Sequence, residues 1–318
     1  MRKVPWFCVA LLFLFDRTAV AGVRRPQRTP GSAAVQPMES AALFVGVRYF
    51  PYDPRLTEVK YAVDDAVDLA YVLAVDGETH LVPPERVVLA LSGQPQKPKS
   101  QQNLDALISA GASVHTAGQS DILTLLESQS RAVGRNGILI VAFATHGISE
   151  DGTQYLLTAE SLVQHRETAI AESKVRDIIT RAGVPRSIIL LDACRQNLTS
   201  DRAGVPDPRS AAAALRRVMG DVNGQVVFSA AAAGEYAYDD DVRRNGVFTA
   251  AVIDGLRCGA STDSRGFVTV ETLSSYVEER VLSWVQKHRD PTVRRATQLQ
   301  FEGRAKSMPL ATCDGRGR

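Results

Sequence analysis

The stretch Ser187-Ile188-Ile189-Leu190-Leu191-Asp192-Ala193-Cys194-Arg195 runs an apolar segment directly into an acid, a thiol and a base. So continuous an apolar run suits a strand covered on both faces in a parallel sheet, and such sheets hold their ligands at the carboxyl ends of the strands. A second run, Gly137-Ile138-Leu139-Ile140-Val141-Ala142-Phe143-Ala144, leads the same way into Thr145-His146-Gly147. Neighbouring strand axes lie about 5 Å apart. A histidine just beyond one strand can therefore reach a cysteine just beyond the next, and the two runs predict a Cys194/His146 dyad.

Working outward, residues 41–47, 86–91, 225–230 and 296–301 read as further strands. Helical spacing covers 64–73, with Asp64 and Asp65 in the first turn, a segment opening at Asp121 behind Ser120, and 174–182 closed by Gly183. It recurs over 247–256 and 271–287. Residues 92–119 read as a polar excursion with one helical piece near 104–108, and 149–153 as a turn. Strands alternating with helices predict an α/β fold, a three-layer arrangement of a mostly parallel central sheet with helices on both faces. The domain is expected over 41–302, behind a flexible leader at 22–40 and ahead of a disordered tail at 303–318. No G-x-G-x-x-G, G-x-x-x-x-G-K-[ST], G-x-S-x-G or C-x-x-C is present, which removes the usual support for nucleotide, lipase-type serine and structural zinc chemistry.

With 318 residues, 45% hydrophobic and 23% charged, the chain can bury one sizeable core and is neither a disordered chain nor a membrane bundle. Arg2-Lys3, the apolar residues 4–15 and Ala19-Val20-Ala21 predict a secretory signal over 1–21, with an uncleaved anchor as the alternative. The apolar part is short for a bilayer span, so a secreted or periplasmic protein with no stable membrane span in its mature form is expected. Cleavage would remove Arg2, Lys3, Arg17 and Asp16, cancelling the net charge of +2 and leaving nothing to draw nucleic acid. Cys194, Cys258 and Cys313 would remain. One disulfide between Cys258 and Cys313 with a free Cys194, or three reduced thiols, both fit that count.

His146 and Cys194 are 48 residues apart, close to the histidine-to-cysteine spacing of caspases. Ser229-Ala230-Ala231-Ala232, Tyr238 and Asn245-Gly246-Val247-Phe248-Thr249 follow in order. In these pieces, over about residues 41–301, the chain resembles the caspase-like cysteine peptidases, which include caspases, metacaspases and bacterial relatives. The resemblance implies the caspase-like fold, Cys194 as nucleophile, His146 as its proton partner, and the backbone amides of Gly147 and Cys194 as an oxyanion hole. It implies polypeptide substrates and no cofactor.

Caspases that cut after Asp carry Gln two residues before the cysteine. This chain has Asp192 there, as metacaspases do, and Asp65 aligns with a second metacaspase acid. Together they imply cleavage after Arg or Lys, although Asp192 also reads as a structural acid bonding loop amides. Arg195 stands where metacaspases place His, as in the bacterial branch. Arg202, Arg209, Arg216-Arg217 and Arg243-Arg244 become candidate self-processing sites. Asp239-Asp240-Asp241 invites comparison with calcium-dependent metacaspases, yet three consecutive acids lack a ligand spacing and read better as a solvated loop. The alternative class of function is a catalytically silent module that keeps the fold for binding.

Overall fold

Strand β1 (Ala41–Val47) is buried at every position, because alternate residues feed two different cores. Ala42 and Phe44 pack into one, and Leu43, Val45 and Val47 into the other. The computed structural model describes residues 35–76, 79–193, 196–197, 224–230, 237–289, 291–293, 296–301 and 303–313. The expected signal segment lies outside them, as do residues 198–223. No helix among the described residues is long and apolar enough to cross a membrane.

In chain order the elements after β1 are α1 (Ala62–Ala74), β2 (Val87–Ser92), α2 (Pro98–Ser109), β3 (Ser113–Thr116), α3 (Gln119–Ala132) and β4 (Leu139–Ala144). Then come β5 (Gly147–Glu150), β6 (Thr153–Leu156), β7 (Ile170–Ala171), α4 (Glu172–Arg181), β8 (Ser187–Asp192), β9 (Gln196–Asn197) and β10 (Gln225–Ser229). The chain closes with β11 (Asp239–Asp240), β12 (Asn245–Gly246), α5 (Val247–Asp254), β13 (Phe267–Thr269), α6 (Val270–His288), β14 (Gln298–Phe301) and β15 (Pro309–Thr312).

The main sheet has seven strands in the order β14-β10-β8-β4-β1-β2-β3. All neighbours are parallel except β14, which runs against β10. Helices α1, α2, α5 and α6 contribute to the core on one face, and α3 and α4 to the core on the other. This is the expected three-layer α/β arrangement. Successive strands move one way from β1 and the other way from β4, so the chain leaves those two neighbours in opposite directions and opens a crevice at their carboxyl ends. Helix α1 lies close over β1 because Gly46 has no side chain; a Cβ there would stand 2.7 Å from the Ala62 carbonyl oxygen.

Several segments differ from expectation. The polar excursion contains a full helix, α2, begun by Pro98 at its first position, and the exposed edge strand β3. Residues Ser113–Thr116 are exposed throughout, so no apolar run announced them. The expected turn at 149–153 is a hairpin instead, with only Asp151 and Gly152 outside its two strands. Helix α3 starts at Gln119, one residue before the expected Ser120 cap. At the front, Pro37–Glu39 form a 3-10 turn, and the Glu39 carboxylate accepts from the Asn136 amide at 2.8 Å.

The tail is ordered well beyond Gly303. Gly303–Ser307 form a 3-10 turn, β15 pairs antiparallel with β13, and Cys258 is disulfide-bonded to Cys313. Of the two readings left open for the cysteines, the paired one is present. The apolar side chains of Met308, Leu310 and Ala311 join the main core, which holds this segment where composition suggested a free end. The bond closes a loop of 55 residues, and a crosslink of that span stabilises a fold by about 2–4 kcal/mol, chiefly by restricting the unfolded chain. Replacing both cysteines by Ser should lower the unfolding free energy from urea titration by that amount, seen as a lower midpoint. An unchanged midpoint would show that the tail is held by packing alone.

Candidate active site

Strands β4 and β8 are adjacent and parallel, with Ala144 opposite Asp192, so both chains leave the sheet at the same level. The Thr145 amide extends the pairing by donating to the Asp192 carbonyl at 3.2 Å. Its hydroxyl donates to the Leu157 carbonyl at 2.7 Å, which fixes the backbone on which His146 stands. Cys194 lies outside the described residues. The described chain on either side of it stays beside the histidine segment: Asp192 pairs with β4, and Gln196 and Asn197 pair with Ile148 and Ser149 of β5.

The loop after β1 holds the His146 ring. The imidazole packs on Phe50, with ring centroids 5.1 Å apart, and its Nε2 lies 2.9 Å from the Thr57 carbonyl oxygen. Only a donor can meet a carbonyl oxygen, so Nε2 carries the proton and, in the neutral ring, Nδ1 carries the lone pair. Burial pushes the imidazole below its ordinary value, and the Thr57 contact only partly opposes this. The ring therefore stands neutral near pH 7, with Nδ1 able to accept a proton.

His146 also fixes the amide of its neighbour. The His146 carbonyl accepts the Leu157 amide at 2.9 Å, so position 146 is hydrogen-bonded toward the β6 side. Antiparallel pairing alternates, and Gly147, opposite Leu156, directs its N–H to the other edge, the one occupied by β9.

Asp65 and Asp192 converge from α1 and from the end of β8. Asp65 accepts the Gly246 amide at 3.0 Å on each of its oxygens and the Asn245 carboxamide at 2.8 Å. Asp192 accepts the Thr249 hydroxyl at 2.7 Å and the Thr249 amide at 3.2 Å, both through Oδ2, and so caps the first turn of α5. The expected bonding to loop amides is replaced by one backbone amide, that of Thr249, within a helix. A Cβ on Gly246 would overlap Asp192 Oδ2 and stand 3.0 Å from Asp65 Oδ2, so the two carboxylates meet across that glycine. Burial raises both acids, joined at Asp65 by repulsion from Asp192 and at Asp192 by repulsion from Asp239; Asp65 stands well above the ordinary carboxylate range and Asp192 at about 6.

A polar network supports Asp65 from behind. Asn245 Oδ1 accepts the Lys97 ammonium at 2.6 Å, Lys97 is ion-paired with Asp68, and Ser100 and Asn103 donate to the other Asp68 oxygen at 2.7 and 2.9 Å. The three acids at 239–241 turn to separate partners. Asp241 takes Lys60 at 2.7 Å and Tyr61 at 2.8 Å, Asp240 takes the Trp284 indole at 3.2 Å, and Asp239 lies half-buried near Asp65 and Asp192. They do not surround a common point where a calcium ion would sit.

Sequence reasoning singled out His146, Gly147, Asp65 and Asp192, and these gather at one edge of the sheet. It passed over Phe50, Thr57, Lys97 and Asp239. The histidine partner is a backbone carbonyl and so leaves no residue-type signal, whereas the three consecutive aspartates were visible and were assigned wholly to solvent.

A family model described as "Caspase domain" matches residues 40–314. No curated protein matches the chain. Among solved structures, caspase-1 from Spodoptera frugiperda superimposes with a TM-score of 0.54 at 13% identity, covering 91% of this chain and 94% of that one. A Geobacter sulfurreducens protein superimposes with a TM-score of 0.52 at 13% identity, covering 86% of this chain and 99% of that one. At these identities the two structures are similar to this chain in fold.

Two outcomes follow from the packed carboxylates. Gly246→Ala should destabilise the protein by roughly 1–3 kcal/mol, the usual cost of forcing a methyl into filled space, seen as a lower urea midpoint. Because the folded-state values of Asp65 and Asp192 are raised, their contribution to stability is fully present below the ordinary carboxylate value near 4; that of Asp192 is lost as pH rises through about 6, and that of Asp65 as pH rises through its own raised value. Asp192→Asn should therefore gain stability relative to the native protein at pH 7.5 compared with pH 4. Equal differences at the two pH values would show that the carboxylate is not held above its normal range.

Proposed function

The chain belongs to the caspase-domain family, and from that premise we propose that it is an exported cysteine endopeptidase that cuts polypeptides after Arg or Lys. The observation that carries the reading is the Ala144–Asp192 register, which delivers His146 and the residues leading to Cys194 to one edge of the sheet. His146, neutral and with its Nε2 proton committed to Thr57, takes the thiol proton of Cys194 through Nδ1 as the sulfur attacks the scissile carbonyl. The imidazolium so formed then protonates the departing amine, and water hydrolyses the thioester with the same ring as base. The Gly147 amide, turned away from β6, and the Cys194 amide would hold the oxyanion. One such preorganised donor is worth about 3 kcal/mol of barrier.

Specificity follows from charge. Two carboxylates at the base of a crevice attract a guanidinium or ammonium and repel an acidic side chain. The Cys258–Cys313 disulfide supports an oxidising compartment, in keeping with the signal-like segment at 1–21. Self-processing, if it follows the same preference, favours Arg202, Arg209 or Arg216-Arg217, all outside the described residues. Arg243 is clamped to Asp254 at 2.5 and 2.6 Å, and Arg244 sits at a φ of 56° in a tight hairpin, a shape that does not present an extended substrate.

Fluorogenic peptides ending in Arg or Lys should be hydrolysed and an Asp peptide should not. Cys194→Ala should remove at least about a thousandfold of the rate. Asp192→Asn should raise KM for the Arg peptide about tenfold or more, the equivalent of one charge-assisted hydrogen bond. Cleavage of the Asp peptide would overturn the basic specificity, and a fully folded protein that cleaves none of these peptides would leave a binding module. Intact mass should show any Cys194-dependent cut within 198–224; a cut at Arg243 or Arg244 would contradict the hairpin argument.

A further inference from the structure

We propose that Asp239 is a third specificity-determining acid, completing with Asp65 and Asp192 a three-carboxylate socket for the basic side chain of the substrate. The inference rests on the peptidase reading above and extends it to the hairpin of β11 and β12. Asp239 is paired directly with Gly246 in that antiparallel hairpin. Directly opposed residues project to the same face of a ladder. The face is defined at Gly246, where a Cβ would run into Asp192 and approach Asp65, so Asp239 projects over the same two carboxylates. The missing side chain of Gly246 is what lets the hairpin backbone approach the two carboxylates this closely.

The socket carries negative charge with no internal counter-ion among the described residues. The groups facing Asp239 are Asp65 on α1, Asp192 at the end of β8, Lys60 ahead of α1, and Asp241 on its own hairpin. Arg289, which also acts on Asp241, stands over the Tyr238 and Trp284 rings, and four further cations around the hairpin have partners of their own. Lys60 is held by Asp241, Lys97 by Asp68 and Asn245, and Arg243 by Asp254, while Arg244 donates to the Gln96 carbonyl at 3.1 Å. Asp192 Oδ1 and the Asp239 carboxylate receive no hydrogen bond from the described residues. Burial and the neighbouring Asp241 raise Asp239 to about 6, beside Asp192 at about 6 and Asp65 higher still. A cation arriving near pH 6 therefore displaces protons from the socket, and its affinity rises with pH across that range.

The test uses the full chain carrying Cys194→Ala, with benzamidine as the probe and isothermal titration at pH 7.5 as the measurement. Asp239→Asn should weaken benzamidine binding about tenfold or more, while Asp239→Glu should restore most of it. At pH 6, titrations in buffers of different ionisation enthalpy should show proton release that is smaller in Asp239→Asn. The neutral isostere benzamide should bind both proteins equally weakly. Equal benzamidine affinity with and without the Asp239 carboxylate would overturn the proposal, as would no benzamidine binding by either protein. Asp239-dependent benzamidine binding in a chain whose native form cleaves no Arg or Lys peptide would keep the socket and remove the peptidase reading.

Discussion

The register between β4 and β8 is the constraint on which the rest of the structure depends. Pairing Ala144 with Asp192 brings both strands to the same height, so His146, Asp192 and the chain leading to Cys194 leave the sheet at a single edge. A shift of one residue would turn every side chain of a strand to the opposite face. The two cores prevent it. Ile140, Ala142, Ile188 and Leu190 belong to one, and Leu139, Val141, Phe143, Ile189 and Leu191 to the other. Burial of ordinary aliphatic side chains therefore sets the position of polar groups that contribute nothing to that burial.

The second constraint is electrostatic and works against stability. Asp65, Asp192 and Asp239 lie close together, in part buried, and each is raised above its ordinary value. A fold selected for stability alone would place a cation among them or replace them. Here the nearest cations are drawn into other pairs, and the amides of Gly246 and Thr249 with the Asn245 carboxamide satisfy only part of the charge. Local rules broken in this way are characteristic of a site that expects its partner from outside.

The layered architecture was legible in the sequence because its strands are continuous apolar runs and its helices carry 3.6-residue spacing. The proposed dyad was suggested by a histidine and a cysteine each following such a run directly; the structure describes the His146 side of it. Other features left weaker traces. Strand β3 is exposed at all four positions and lies on the sheet edge, so no burial pattern marked it. The C-terminal segment looked free because its order comes from long-range pairing of Pro309–Thr312 with Phe267–Thr269 and from the bond to Cys258. Asp239 was lost among three like residues whose separate destinations depend on a hairpin of two-residue strands, too short to show any period. Thr57 acts through its backbone, which no residue-type argument can find.

The proposed peptidase chemistry depends on activation of the Cys194 thiol by His146. The rate of Cys194 alkylation by iodoacetamide, read from the mass of the peptide containing it across pH 5–9, tests this most directly. Alkylation should be fast near pH 7, with an inflection well below the value of about 8.5 for an unperturbed thiol, and slow with an ordinary inflection in His146→Ala. The same profile in both proteins, rising only near pH 8.5, would contradict it.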